Sequence, residues 1–283
     1  MTDEIQFDGT GLRVLLPGSL RASGKLRIAP QASTGNRVFR VDTETESYSL
    51  RIPGRYRYIP FESEQQNQRL ASLAEIAAPI EYGDDHVLIS HWVNGESLSA
   101  DRIGLPVLAG QVGETLARLH QLPHPFCDPI GPVDALEWNL AQLRHPGGKF
   151  SRLSARARQR FSHVVDWQPV NCHGDPVLAN IFLDPRGEIR FIDWEFSHRT
   201  AAEWDLAVIA NEAAVVPSVF AHLLDAYNRH RCTTINLSQL EPYRGLIGLI
   251  SALWCDVELG HNPGNQHLAA TLERQLEIAR VYL

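Results

Sequence analysis

Cysteine is sparse in this 283-residue chain and never clustered: Cys127, Cys172, Cys232 and Cys255 stand far apart, with no C-x-x-C pair. That pattern argues against a disulfide framework and reads as reduced thiols in a cytoplasmic protein. The twelve histidines contain neither H-E-x-x-H nor a zinc-finger spacing, so no structural metal is expected. Long apolar runs are missing too. The longest, from about Leu246 to Cys255, falls well short of the ~20 residues a helix needs to cross a bilayer. The first residues, Met1-Thr-Asp-Glu-Ile, lack the basic and apolar regions of a secretory leader. The expectation is a cytoplasmic chain without membrane insertion.

Positive charge is in deficit, with 26 Lys and Arg against 33 Asp and Glu and a net charge of −7. This argues against nucleic acid as the main partner and is permissive of a cationic one. Arg152, Arg156, Arg158 and Arg160 run against the trend, but their helical spacing predicts a solvated helix face. At 44% hydrophobic and 21% charged residues, the composition is that of an ordinary globular protein with one large or two small domains. No internal repeat or low-complexity linker divides it, and nothing in the pattern specifies an oligomeric state.

What the chain does have is His173-Gly174-Asp175-Pro176-Val177-Leu178-Ala179-Asn180, followed by Ile192-Asp193-Trp194-Glu195. Asp175 and Asn180 are separated by four residues, the spacing of the base and the metal-binding Asn in a protein-kinase catalytic loop. Asp193 ends a second short apolar run, where a kinase places the carboxylate that holds magnesium against the nucleotide phosphates. Asn180–Leu183 and Ile189–Ile192 predict two short strands joined by Asp184-Pro185-Arg186-Gly187, a type I turn signature. The hairpin would bring Asn180 and Asp193 to the same end. Asp184 is expected to be an ordinary turn residue.

This run, continued by Trp204-Asp205-Leu206-Ala207, resembles the aminoglycoside phosphotransferase and choline kinase superfamily, most of all its bacterial choline/ethanolamine kinase branch. The resemblance implies a two-lobed, protein-kinase-like α+β fold. Residues 1–92 would form a small β-rich nucleotide-binding lobe, and 93–283 a mainly helical lobe for catalysis and acceptor binding. It implies ATP and Mg²⁺ as cofactors, Asp175 as catalytic base, and Asn180 and Asp193 as metal ligands. It makes His173 a support of the catalytic loop, Asp205 that loop's buried structural partner, and Glu195 a carboxylate facing the acceptor pocket.

The N-terminal region fits the same plan. Val38–Val41 and Tyr48–Ile52 read as strands around a polar turn. The loop before them, including Ser33, Thr34, Gly35 and Asn36, resembles the family's nucleotide-covering loop, although it has a single glycine. Arg51 sits where kinases place the phosphate-gripping lysine, and choline kinase-like enzymes commonly carry Arg there. A guanidinium can still fork onto phosphate oxygens. A following helix, about Glu62 to Leu73, offers Glu64 or Glu62 as its ion-pair partner, with spacing to Ala78-Pro79 favouring Glu64. His86–Ser90 reads as a strand and His91–Gly95 as a hinge. Beyond it Leu105, Leu108, Val112, Leu116 and Leu119 form one apolar helical stripe, whose His120 reads as a packed structural residue. Further helices are expected over Asp205–Ala210, Phe220–Tyr227, Leu246–Leu259 and Leu268–Leu283.

The acceptor side is the least specified. Ser251-Ala-Leu-Trp254 matches part of the family's aromatic pattern, with Trp254 in a ring position and Ser251 where a second tryptophan is often found. Tyr227, Trp138 and Trp204 are further candidates for its walls. The resulting expectation is a kinase of a small cationic amino alcohol, choline or ethanolamine-like. Thiamine or an aminoglycoside is the alternative acceptor, and a non-catalytic nucleotide-binding protein the alternative of another class. Peptide substrates are not expected, because no Asp-Phe-Gly to Ala-Pro-Glu segment follows Asp193.

Overall fold

The computed structural model describes residues 12, 14–21, 26–31, 36–54, 57–127, 129–143, 148–162, 168–212 and 215–283; Ser33, Thr34 and Gly35 lie outside them. After a short helix α1 (Gly18–Arg21), the strands β1 (Arg27–Gln31), β2 (Arg37–Asp42), β3 (Ser47–Ile52), β4 (Ile80–Gly83) and β5 (Leu88–His91) form one sheet. Its order is β1-β2-β3-β5-β4. All its neighbours are antiparallel, with Val38 opposite Arg51 and Leu50 opposite Ile89. Val41, Leu50, Val87 and Ile89 are buried on one face against Leu16 and Leu20.

Helix α2 (Phe61–Leu73) crosses from this sheet to the rest of the chain. It buries Glu64, Gln65, Asn67 and Gln68, an unusual set for a helix interior face. Each amide among them is hydrogen-bonded, as buried polar groups must be. Gln65 Nε2 donates to Asp84 O at 2.9 Å, Gln68 Nε2 to Ala78 O at 3.1 Å, and Asn67 Nδ2 to Ser197 O at 2.8 Å. The last of these joins the sheet side of the molecule to the second half of the chain. Where α2 ends, Phe191 N donates to Ile76 O at 2.8 Å, so the Ile189–Phe191 strand is docked on it directly.

The second half is mainly helical. In order come β6 (Glu96–Ser97), α3 (Ala100–Ile103), α4 (Pro106–His120), α5 (Pro132–Ala141) and α6 (Ser151–Phe161). Then follow β7 (Val170–Cys172), β8 (Ile181–Leu183), β9 (Ile189–Phe191) and β10 (His198–Thr200), and last α7 (Glu203–Ala210), α8 (Pro217–Arg231), α9 (Leu237–His261) and α10 (Gln266–Tyr282). Proline starts α4, α5 and α8, where its missing N–H leaves no helical bond unmade. The α4 stripe of Val112, Leu116 and Leu119 is fully buried, but Leu105 precedes the helix and is exposed. Two cores result, one around α4, β9 and α8, the other around α7, α9 and α10. The architecture is a two-lobed α+β fold. Among the described residues, no helix is long and apolar enough to cross a membrane. Gly95, at the junction after β5, has φ 129, and a Cβ there would collide with the Leu183 carbonyl. Only glycine lets the chain pass so close to β8.

The basic segment forms the exposed face of α6, and Arg158 is tied to Glu137 at 2.6 Å. Helix α9 begins nearer Asn236 than the apolar run suggests, with the Asn236 side chain capping the amides of Ser238 and Gln239.

Candidate active site

Strand β7 delivers His173, Gly174 and Asp175 to the floor of a cleft of about 1280 Å³. Gly174 has φ 87, and a side chain there would strike the Phe196 carbonyl, so the turn demands glycine. The turn is fixed by Asp205 on α7, which has no solvent exposure. Its Oδ2 accepts from His173 N at 2.8 Å, and its Oδ1 from Gly174 N at 2.9 Å. His120 Nε2 lies 3.1 Å from the same Oδ2, while its Nδ1 meets the Tyr227 hydroxyl at 2.8 Å. Trp204 Nε1 adds a bond to Gly174 O at 3.0 Å. Burial drives the Asp205 carboxyl upward, but hydrogen bonding and charge from His120 and His173 outweigh it, and the group is held below the ordinary range. A buried anion bonded by several donors is costly to leave unpaired, about 1–3 kcal/mol or more per lost partner. Tyr227 therefore belongs to the support of the loop and is fully buried there; it is no acceptor wall. His120, Cys172 and Asp205 also bring three potential ligand atoms within 4.8 Å of one another. Here, however, His120 Nε2 and Asp205 Oδ2 bind each other, and burial pushes the Cys172 thiol well up.

His173 links the loop to the hairpin. Its Nε2 lies 2.9 Å from Ile192 O, which can only accept, and its Nδ1 receives Asp175 N at 3.3 Å, which can only donate. One neutral tautomer satisfies both, and burial lowers the ring's pKa accordingly. The ring packs on Trp194, centroids 4.7 Å apart. Trp194 itself is a core residue whose Nε1 donates to Phe191 O at 3.1 Å.

The hairpin closes as its sequence predicts, with Ile192 N donating to Asn180 O at 3.0 Å. Asp184 caps the turn, accepting from Arg186 N at 2.9 Å and Glu188 N at 3.0 Å. Asn180 Nδ2 donates to Asp175 O at 3.0 Å and to its Oδ2 at 3.3 Å, which leaves the amide oxygen as the unengaged end. Asp193 adopts a left-handed conformation, φ 62, tolerated better by Asp than by most side chains. Its Oδ1 is buried and no hydrogen-bond donor reaches it among the described residues. An orphaned carboxylate oxygen beside a free amide oxygen is the hard donor set that Mg²⁺ takes, and Asp193 and Asn180 would hold it.

Arg51 on β3 approaches from the opposite side. It forms a buried ion pair with Glu64 of α2, and its Nη1 lies 3.6 Å from Asp193 Oδ1. Glu62 is instead exposed, with Gln66 as its partner. Glu64 also accepts from Arg57 Nη2 at 3.0 Å, so one carboxylate holds two guanidinium groups. No pattern in the sequence singles out Arg57.

Glu195 lines the same cleft. Its Oε2 accepts from Asn36 Nδ2 at 2.8 Å and lies 3.9 Å from Arg51 Nη1. Asn36 in turn accepts from Gly54 N at 2.9 Å. The side chain is thus drawn toward the sheet and the arginine, where the resemblance implies an acceptor-facing carboxylate. Burial, then repulsion by Asp193, raises the Glu195 carboxyl to about 7 against the pull of Arg51 and Asn36. Withdrawal from water and the charges of Asp193 and Glu195 raise Asp175 to about 7.

The same cleft is also lined by Trp204, Glu212, Ser251, Trp254, Glu258, Thr271 and Gln275. Trp254 is half-buried and faces this space; Trp138 instead packs on Tyr58, centroids 5.5 Å apart. Glu212, whose Oε2 lies 3.4 Å from Leu178 N, was not signalled by any motif.

The phosphotransferase enzyme family model (APH) matches residues 28–243. The chain is 27% identical over 192 residues to Protein LicA of Haemophilus influenzae, covering 62% of this chain and 70% of that protein. It superposes on the choline kinase LicA of Streptococcus pneumoniae with a TM-score of 0.81 and 15% identity, over 96% of this chain and 99% of that one. A crystal structure of LicA in complex with AMP gives a TM-score of 0.78 at 15% identity, over 97% of each chain. The likeness to the solved structures shows the kinase-like fold, and the family match extends across both lobes from β1 into α9. The chain belongs to the phosphotransferase enzyme family and is a phosphotransferase.

Proposed function

We propose that this protein transfers the γ-phosphoryl group of Mg-ATP to the hydroxyl of a small cationic amino alcohol, of the choline or ethanolamine kind. The observation that carries this reading is the position of Asp175. It is in contact with Asn180 at 3.3 Å and shares one cleft with Asp193 and Arg51, themselves 3.6 Å apart, and with Trp254, Glu212 and Glu258. Phosphoryl transfer through a loose transition state asks mainly for positioning and charge neutralisation. Arg51, oriented by Glu64, neutralises phosphate oxygens, with the Asn36–Glu195 pair beside it. Asp193 and Asn180 hold Mg²⁺, which supplies charge stabilisation to the transferring group. Asp175 orients the acceptor hydroxyl and takes its proton, a role suited by a carboxyl raised to about 7. The acidic wall and the Trp254 face suit an ammonium group. The likeness to the pneumococcal choline kinase, which shares the LicA name with the H. influenzae relative, supports the same acceptor class.

A coupled assay of ADP release with Mg-ATP tests it, against choline, ethanolamine, thiamine and an aminoglycoside set. Turnover with an amino alcohol is expected to exceed the others by kcat/KM. Preference for thiamine or an aminoglycoside would reassign the acceptor, and ATP binding without any turnover would favour a non-catalytic role.

A further inference from the structure

Helices α9 and α10 together close the acceptor side of the cleft. Ser251, Trp254 and Glu258 recur at three and four residues on α9, and Thr271 and Gln275 at four on α10, so each set shares one helix face. All of them line the cleft. Their hydrogen bonding is unusual for helical residues. Thr115 and Ser154 turn their hydroxyls back onto the carbonyl four residues earlier, at 2.8 Å and 2.9 Å. Ser251 and Thr271 make no such bond, and their hydroxyls have no partner among the described residues. Gln275 is sharper still. It is 7% exposed, its Oε1 is buried without a donor, and no partner is found for the other end of its amide. A buried amide left open on a cleft wall is the mark of a group kept for a ligand. The cation on this wall, Arg274, is drawn aside, its Nη1 donating to Asn211 O at 2.9 Å.

We infer that Ser251, Thr271 and Gln275 form an ammonium subsite that reads N–H groups, so that the preferred acceptor carries a primary or secondary amine rather than a quaternary one. This rests on the amino-alcohol reading above and narrows it. A primary ammonium offers three donors and meets oxygen acceptors of this kind directly. A trimethylammonium offers none. It is best held by several aromatic faces, and Ser251, three residues before Trp254 on α9, brings a hydroxyl rather than a ring to the cleft. Sites built to bond a substrate's polar hydrogens reject analogues lacking them far more strongly than apolar pockets reject a change of size.

The test is the series ethanolamine, N-methylethanolamine, N,N-dimethylethanolamine and choline, each at saturating Mg-ATP. The inference expects kcat/KM to fall with methylation, by at least tenfold from ethanolamine to choline. Gln275→Leu is expected to compress that ratio to within about threefold while the KM for ATP stays unchanged. If Gln275→Leu fails to fold by thermal shift, Thr271→Val serves in its place. A flat series, or choline as the best acceptor, overturns the subsite while leaving the amino-alcohol reading intact. No turnover with any of the four overturns both. A variant that folds and keeps the full wild-type ratio removes its residue from the subsite.

Discussion

His173 Nε2 lies 2.9 Å from the carbonyl oxygen of Ile192, the residue before Asp193. One buried ring thus sets the distance between the loop that carries Asp175 and the turn that carries Asp193. The bond works only with a neutral ring whose Nδ1 is free to accept from Asp175 N. His173→Ala is expected to lower kcat by about tenfold or more, since small misplacements of reacting groups are costly. It should also lower Tm, through a cavity and an unpaired carbonyl worth together about 2–4 kcal/mol. Steady-state kinetics and a thermal melt check both. Wild-type kcat in a folded variant would make the ring a packing residue alone.

The raised carboxyl of Asp175 has a consequence for stability. Its folded pKa is about 7, against 3.8 ordinarily, so between those values the folded protein holds a proton that the unfolded chain has released. Its contribution is fully present below the unfolded value and is lost as pH rises toward 7. Asp175→Asn removes that titration. The difference in Tm, variant minus wild type, should therefore grow from pH 5 to about pH 7 and then level off in the ligand-free protein. The same variant should lose about 10²–10⁴ in kcat with ATP affinity changed only a few-fold. A Tm difference independent of pH would place the Asp175 carboxyl in the ordinary range.

Much of this site was legible because its chemistry is local. Asp175, Asn180 and Asp193 lie on one short loop and one tight hairpin, where spacing along the chain nearly fixes spacing in the molecule. Spacing favours Glu64 over Glu62 without deciding between them; in the fold Glu64 is buried against Arg51 and Glu62 is exposed. The bond between Glu195 and Asn36 was not legible, because it joins residues 159 apart in the chain. Gln275 and Thr271 were hidden because they border the buried apolar side of α10 formed by Leu268, Leu272, Leu276 and Ala279, where a polar residue carries no periodic signal of its own. The polar face of α2 carries almost no periodic signal, since its partners are carbonyls of distant segments. The first turns of α9 were missed because Pro242 interrupts the pattern that Asn236 starts.

The contact between Glu195 and Asn36 predicts a division of kinetic effects. Glu195→Gln and Asn36→Ala both alter the pair that packs beside Arg51, so each should raise the KM for Mg-ATP several-fold. The KM for the acceptor should stay within about twofold, because neither side chain is directed at that wall. A selective rise in acceptor KM for Glu195→Gln would return that carboxylate to the acceptor pocket.

Asp193 is the point where catalysis and stability oppose each other most directly. Its Oδ1 is buried without a donor, and its charge raises the carboxyls of both Asp175 and Glu195. Among the described residues, Arg51 at 3.6 Å is the ion-pair partner that offsets it. Asp193→Asn is the informative change, because Asn also tolerates the left-handed backbone at φ 62, where Ala would add about 1–2 kcal/mol of strain. The variant should melt higher than wild type above pH 7 when no nucleotide is present, since one of three crowded negative charges is gone. It should also release ADP orders of magnitude more slowly and no longer respond to added Mg²⁺, because a neutral amide leaves the metal short of a hard anionic ligand. With Asp193 neutral, Asp175 should titrate at a lower pH, readable as an earlier levelling of the Tm difference between Asp193→Asn and the Asp175→Asn/Asp193→Asn double variant. A folded Asp193→Asn protein with near-wild-type, Mg²⁺-dependent turnover would take Asp193 out of the metal site and leave the cleft without its anionic ligand.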